Sequence, residues 1–165
     1  VLSAALKKEM LDDAGYQEML RLTTQLNRPG TALAALEGVH ALTDVTGFGL
    51  AGHALELARS AKCQVQIDWP AVSWVTQART LAQQGCITGA SGRNWASYGH
   101  EVELPTDFSP IDQALLSDPQ TSGGLLVSCA PDCVSEVLSI FQKAGFSQAG
   151  VVGQVQTGAG LKIRA

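Results

Sequence analysis

Two short stretches of this chain bring together residue types that can do chemistry. The first, Thr43-Asp44-Val45-Thr46-Gly47-Phe48-Gly49-Leu50, runs from an extended segment into a helical one. Glycines let a backbone approach a ligand closely, and a helix N-terminus offers unpaired N–H groups to an anion. Asp44 places a carboxylate beside that anion site. Mg²⁺ is usually held in this way, by one or two protein carboxylates with phosphate and water completing its shell. The competing reading is a tight turn in which Asp44 or Thr46 caps the following helix, and pattern alone leans toward it. No Gly-Lys-Ser/Thr and no third glycine fall at the offsets of a Walker A loop or a dinucleotide fingerprint.

The second stretch, Leu116-Ser117-Asp118-Pro119-Gln120-Thr121-Ser122-Gly123-Gly124, leads into an apolar strand. Asp118-Pro119 favours a turn, and Gly123-Gly124 permits positive φ. Thr121 and Ser122 can offer hydroxyls and N–H groups to a phosphate, although the pattern favours an ordinary turn into a strand. His40, Asp44 and His53 are spaced loosely like ligands, but His53 falls within a helical pattern and reads as part of a polar helix face. Cys129 and Cys133 lack the second ligand pair that a zinc site needs, and Cys63 and Cys86 stand apart from them. All four are expected to be free thiols. No Ser/His/Asp or Cys/His arrangement is legible, so covalent catalysis within this chain is not expected.

The elements that must position these stretches follow from periodicity. Helical segments are expected after Ser3 as a cap, from Tyr16 to the Arg28-Pro29-Gly30 turn with Gly15 as a break, from Thr31 to Gly38, from Leu50 to Ala61, from Val72 to Gln84, from Ile111 to Leu116, and from Asp132 to Lys143. Strands are expected at Val39–Val45, Cys63–Trp69 and Gly124–Cys129. Val151–Gln156 and Leu161–Arg164 read as a hairpin around Thr157-Gly158-Ala159-Gly160. Residues 85–110 lose periodicity and read as a long loop with a short strand at Val102–Leu104. The fold class is α+β, with helices packed on a mixed β-sheet.

The 165 residues are enough for one core of ordinary size. Charged residues make up only 16% of them, which suggests that part of the surface is covered by another chain or domain. Eleven basic against fifteen acidic residues argue against nucleic acid or a membrane surface as partner. Lys7, Lys8, Glu9, Asp12 and Asp13 interrupt any signal-peptide core, so a cytoplasmic protein with reduced cysteines is expected. A chain starting at Val1 inside helical sequence reads as the continuation of a longer protein.

The run from His40 through Asp44 to His53, together with Asp118-Pro119-Gln120-Thr121-Ser122-Gly123-Gly124-Leu125-Leu126 and Leu26-Asn27-Arg28-Pro29, resembles the selenophosphate synthetase (selenide, water dikinase) family, part of the aminoimidazole ribonucleotide synthetase superfamily. The resemblance spans the chain and implies that residues 1–165 are the C-terminal domain of a two-domain subunit. It implies an ATP-dependent reaction on selenide and water that yields selenophosphate, phosphate and AMP and feeds selenocysteine and selenouridine synthesis. It further implies Mg²⁺, a homodimer, and a partner N-terminal domain that carries most of the ATP site. Asp44 matches the family's single Mg²⁺ ligand in this domain. The family's catalytic Cys and Lys fall upstream of Val1, so no catalytic residue is expected here and the chain alone is expected to be inactive. A non-catalytic interaction or dimerisation domain, and a sister ATP-dependent synthetase, remain the alternatives. The roles of Thr121, Ser122 and residues 85–110 stay open.

Overall fold

A computed structural model describes residues 1–165. Along the chain the elements are α1 (Leu2–Lys7), α2 (Asp13–Thr24), α3 (Pro29–Ala34), β1 (Val39–Asp44), α4 (Gly49–Ala61), β2 (Gln64–Asp68), α5 (Ala78–Gln83), α6 (Gly89–Tyr98), β3 (Val102–Glu103), α7 (Pro110–Leu116), β4 (Leu125–Cys129), α8 (Val134–Lys143), β5 (Gly153–Gln156) and β6 (Gly160–Arg164). Short 3₁₀ turns at Trp69–Ala71, Gly99–Glu101 and Pro131–Cys133 join some of them.

The α+β expectation holds: a four-stranded mixed sheet, in the order β3-β6-β2-β5, is packed by helices. Beside it lies a second sheet that periodicity did not separate from the first, the two-stranded antiparallel ribbon β1-β4. The small residues Ala51, Ala54 and Ala58 let α4 settle closely onto β2 and β6, where Val65, Ile67, Leu161 and Ile163 share one core with Leu55. Leu55, Ile67, Leu116 and Leu161 are fully buried, and each such side chain contributes about 1.5–3 kcal/mol. A smaller core of Leu33, Val137 and Phe141 fixes α3 and α8 against the ribbon through Leu42, Leu125 and Val127.

Several local expectations need correction. The last two strands form no hairpin. β5 runs antiparallel to β2 with Gln64 opposite Gln156, and β6 runs parallel to β2 with Gln64 opposite Gly160, so β2 is inserted between them. Val65, Gln66 and Ile67 are all buried, as a central strand requires. Ser3 lies inside α1 rather than capping it, and Gly15 is the third residue of α2, where its N–H donates to the Asp12 carboxylate at 2.8 Å. The helix expected from Val72 begins only at Ala78. Within residues 85–110 the chain forms α6, capped by Thr88, whose side chain accepts from the Ser91 N–H at 3.2 Å. The short strand expected nearby is present as β3.

Candidate functional site

Antiparallel pairing of β1 with β4 sets the end of one strand beside the start of the other. Asp44, the last residue of β1, lies opposite Leu125, the first of β4. The two stretches singled out above are therefore neighbours, one leaving β1 and the other arriving at β4. Backbone bonds continue the contact past the strands: the Val45 N–H donates to the Gly124 carbonyl at 2.9 Å, and the Gln120 N–H to the Thr46 carbonyl at 3.0 Å. Only glycine fits at position 123, since a β-carbon there would stand 2.0 Å from the Val45 carbonyl oxygen. Asn27 secures the second stretch by donating to the Gly123 carbonyl at 2.8 Å. The Leu26–Pro29 run thus ends at the same place, with Arg28 exposed beside it.

The capping reading of the first stretch fails. α4 has Phe48 at its N-cap, with no side-chain bond to the helix. The Thr46 hydroxyl is engaged elsewhere, 3.2 Å from Nε2 of His53. His53 is only 6% exposed, in place of the polar helix face expected for it, and its Nδ1 lies 2.9 Å from Glu56. Asp44 is exposed, and its carboxylate takes part in no hydrogen bond or ion pair within the chain. A carboxylate held at a rigid strand end without a partner is free to meet a cation brought from outside.

In the second stretch, burial divides the roles. Ser117 and Asp118 are interior: the Ser117 hydroxyl pairs with that of Ser91 at 2.8 Å, and Asp118 lies 2.7 Å from the Val1 nitrogen and 3.4 Å from the Thr88 hydroxyl. Thr121 and Ser122 are exposed, and Ser122 has φ of 50°. That left-handed backbone costs a non-glycine residue about 1–2 kcal/mol.

Sequence reading missed two residues of this site, Asn94 and Tyr98, because it placed them in a loop. Both lie on α6. Asn94 donates through Nδ2 to the carbonyls of Gly47, at 2.8 Å, and Ser117, at 3.1 Å. Tyr98 donates to the Phe48 carbonyl at 2.5 Å, and burial pushes its phenol up to about 12 against a weaker opposing pull from the Gly52 backbone. The spacing Thr88…Asn94…Tyr98 carried the signal, a cap followed by two polar groups four apart on one helix face.

The remaining candidates lie apart. His40 and Asp44 are four residues apart on one strand, roughly 13 Å of extended chain, and no group of three or more His, Cys, Asp or Glu side chains is placed to hold a metal ion by itself. All four cysteines are free, with Cys86 buried and the other three partly so. No helix is long and apolar enough to cross a membrane.

Known proteins resemble this chain in sequence and in fold. The family described as AIR synthase related protein, C-terminal domain, matches residues 2–165. The selenide, water dikinase of Pseudomonas straminea is 59% identical over 159 residues, 96% of this chain and 44% of the relative. That of Burkholderia pseudomallei is 58% identical over 96% of this chain and 45% of its own length, and that of Rhizobium meliloti is 52% identical over 96% and 46%. The chain thus spans less than half the length of these relatives. Among solved structures, thiamine-monophosphate kinase from Stenotrophomonas maltophilia matches with a TM-score of 0.64 at 15% identity, over 98% of this chain and 46% of that one. The hydrogenase maturation protein HypE of E. coli matches with a TM-score of 0.60 at 15% identity, over 82% and 35%. These two likenesses concern the fold.

Proposed function

We propose, because this chain belongs to the AIR synthase related protein family as its C-terminal domain, that it is the C-terminal half of a selenide, water dikinase. The observation that carries the reading is the 59% identity maintained over 96% of the chain. In this reading the preceding half of the protein holds most of the ATP site and supplies the catalytic Cys and Lys, and this half completes the site when the two meet. ATP, selenide and water are the substrates, Mg²⁺ is the metal, and the protein works as a cytoplasmic homodimer.

Asp44 is the residue of this chain that fits Mg²⁺. It is a hard oxygen donor, exposed and unpartnered, and one carboxylate suffices where phosphate and water fill the other positions. Magnesium in such a site neutralises charge on the phosphoryl groups being transferred. The chain's own contribution is positional. β1 and β4 fix where the Asp44 carboxylate stands. The exposed Thr121 and Ser122 hydroxyls offer donors to phosphate oxygens from the adjoining loop.

The test uses the longer protein that contains this chain, incubated with ATP, Mg²⁺ and selenide and followed by ³¹P NMR. The reading predicts a selenophosphate resonance and AMP in equal amounts, both dependent on selenide. ATP turnover that ignores selenide contradicts it and favours a sister synthetase.

A further inference from the structure

We infer that Asn94 and Tyr98 are positioning residues, a clamp on α6 that holds the loop following Asp44, and through it the end of β1, in place for the metal. The inference rests on the reading of Asp44 as a Mg²⁺ ligand and goes beyond it, since neither residue touches the metal site directly.

The argument begins with what the loop lacks. Asp44 has no side-chain tie of its own, so its position depends on the backbone to either side. Upstream, the ladder to β4 holds it. Downstream, Val45 is buried and bonded to Gly124, and Thr46 is tied to Gln120 and His53. Farther on, packing supplies little: a β-carbon at Gly47 would have no neighbour within 4 Å, and Phe48 is 54% exposed. A loop of this kind normally moves freely, and glycines at positions 47 and 49 suggest a flexible hinge. Two hydrogen bonds oppose that freedom. The carbonyls of Gly47 and Phe48 each accept a hydrogen bond from α6.

Asn94 does more than grip one loop. Both of its partners are carbonyls, so the amide nitrogen must face them, and its two hydrogens are shared between Gly47 and Ser117. One side chain therefore bridges the two motif loops, in addition to the backbone bonds between them. Tyr98, one turn further along the same face, is 5% exposed and lies against Gly52 in addition to bonding the Phe48 carbonyl. α6 in turn is mounted on α7, because the Ser91 hydroxyl donates to the Ala114 carbonyl at 2.6 Å and pairs with Ser117. The path from α7 through α6 to the loop after Asp44 is continuous and hydrogen-bonded. A carboxylate fixed in advance binds a cation without the ordering cost that a mobile one bears.

Two measurements test the clamp. The first is hydrogen exchange of the amides from Val45 to Leu50 in this chain without metal or nucleotide. Asn94→Ala and Tyr98→Phe should each speed exchange there by about fivefold or more, in line with the one hydrogen bond to this loop that each removes. The second is the Mg²⁺ requirement of the longer protein, compared among the parent, Asn94→Ala, Asp44→Asn and the double variant. Asn94→Ala should raise the Mg²⁺ concentration for half-maximal activity about fivefold while kcat at saturating Mg²⁺ stays within about twofold. In the Asp44→Asn background it should add almost nothing, because its effect passes through Asp44. An equal shift in both backgrounds, or no shift in Asn94→Ala while Asp44→Asn responds, overturns the clamp alone. If Asp44→Asn itself leaves the Mg²⁺ requirement unchanged, the metal reading fails first and takes the clamp's role with it. Because Asn94→Asp keeps the shape but replaces the donor with an acceptor facing two carbonyls, it should behave at least as badly as Asn94→Ala. Normal behaviour in that variant also contradicts the proposal.

Discussion

Gly49 lies directly against the backbone of Ser117: a β-carbon on Gly49 would stand 2.6 Å from the Ser117 carbonyl carbon. The first helical residue after the Asp44 loop is thereby pressed onto the segment that leads to Thr121 and Ser122. Gly49 also has φ of 70°, so a side chain there is opposed both by the backbone and by its neighbour. Gly49→Ala is expected to cost at least about 2 kcal/mol, the left-handed penalty plus displacement of Ser117. Gly47→Ala, two residues away with open space around it, is expected to stay within about 1 kcal/mol. Urea denaturation of the two variants checks the contrast, and equal losses would show that the contact with Ser117 is immaterial.

Tyr98 makes a prediction about alkaline stability. Its phenol is raised to about 12 by burial, so the folded chain holds this proton more tightly than the unfolded chain, in which tyrosine ionises near 10. The associated stability is complete below about pH 10 and is lost as pH rises toward 12. Titration of tyrosinate absorbance should show one of the two tyrosines ionising near 12. Tyr98→Phe should lose less stability than the parent between pH 10 and 12. A variant that follows the parent curve across that interval contradicts the assignment.

The four free cysteines give a simple count. Thiol titration of the denatured chain under non-reducing conditions should find four groups, since Cys63, Cys86, Cys129 and Cys133 are all unpaired. In the native state Cys86, which is buried, should react slowest. Burial also pushes the Cys129 thiol up, with Cys133 and Asp132 adding to the effect, so it should react slowly as well at neutral pH. Two thiols instead of four would contradict the count.

The sequence made some of this fold readable and hid other parts for identifiable reasons. α4, β1, β2, β4 and α8 announce themselves through their apolar patterns, whereas pattern alone leans toward a capping role for Asp44, and its metal reading comes from the family resemblance. α6 was hidden because Gly89, Ser91, Gly92 and Asn94 are weak helix formers, held helical by the Thr88 cap and by contacts that only the folded chain provides. The supposed hairpin misled because Thr157-Gly158-Ala159-Gly160 has good turn chemistry, and nothing local reveals that β2 comes to lie between its arms. The capping role offered to Asp44 and Thr46 was reasonable for those residue types. It failed because Thr46 pairs with His53, a partner one cannot see without knowing that His53 turns inward.

The central claim is that Asp44 meets Mg²⁺, and its most direct test is Asp44→Asn in the longer protein. Asn keeps the size and turn chemistry of Asp but lacks its charge. Because Asp44 caps no helix and carries no hydrogen bond or ion pair through its carboxylate, the melting temperature should hardly move. Selenophosphate formation at limiting Mg²⁺ should fall at least about tenfold, roughly 1.4 kcal/mol of barrier, and added Mg²⁺ should restore part of it. Full activity of Asp44→Asn at limiting Mg²⁺ would contradict the account.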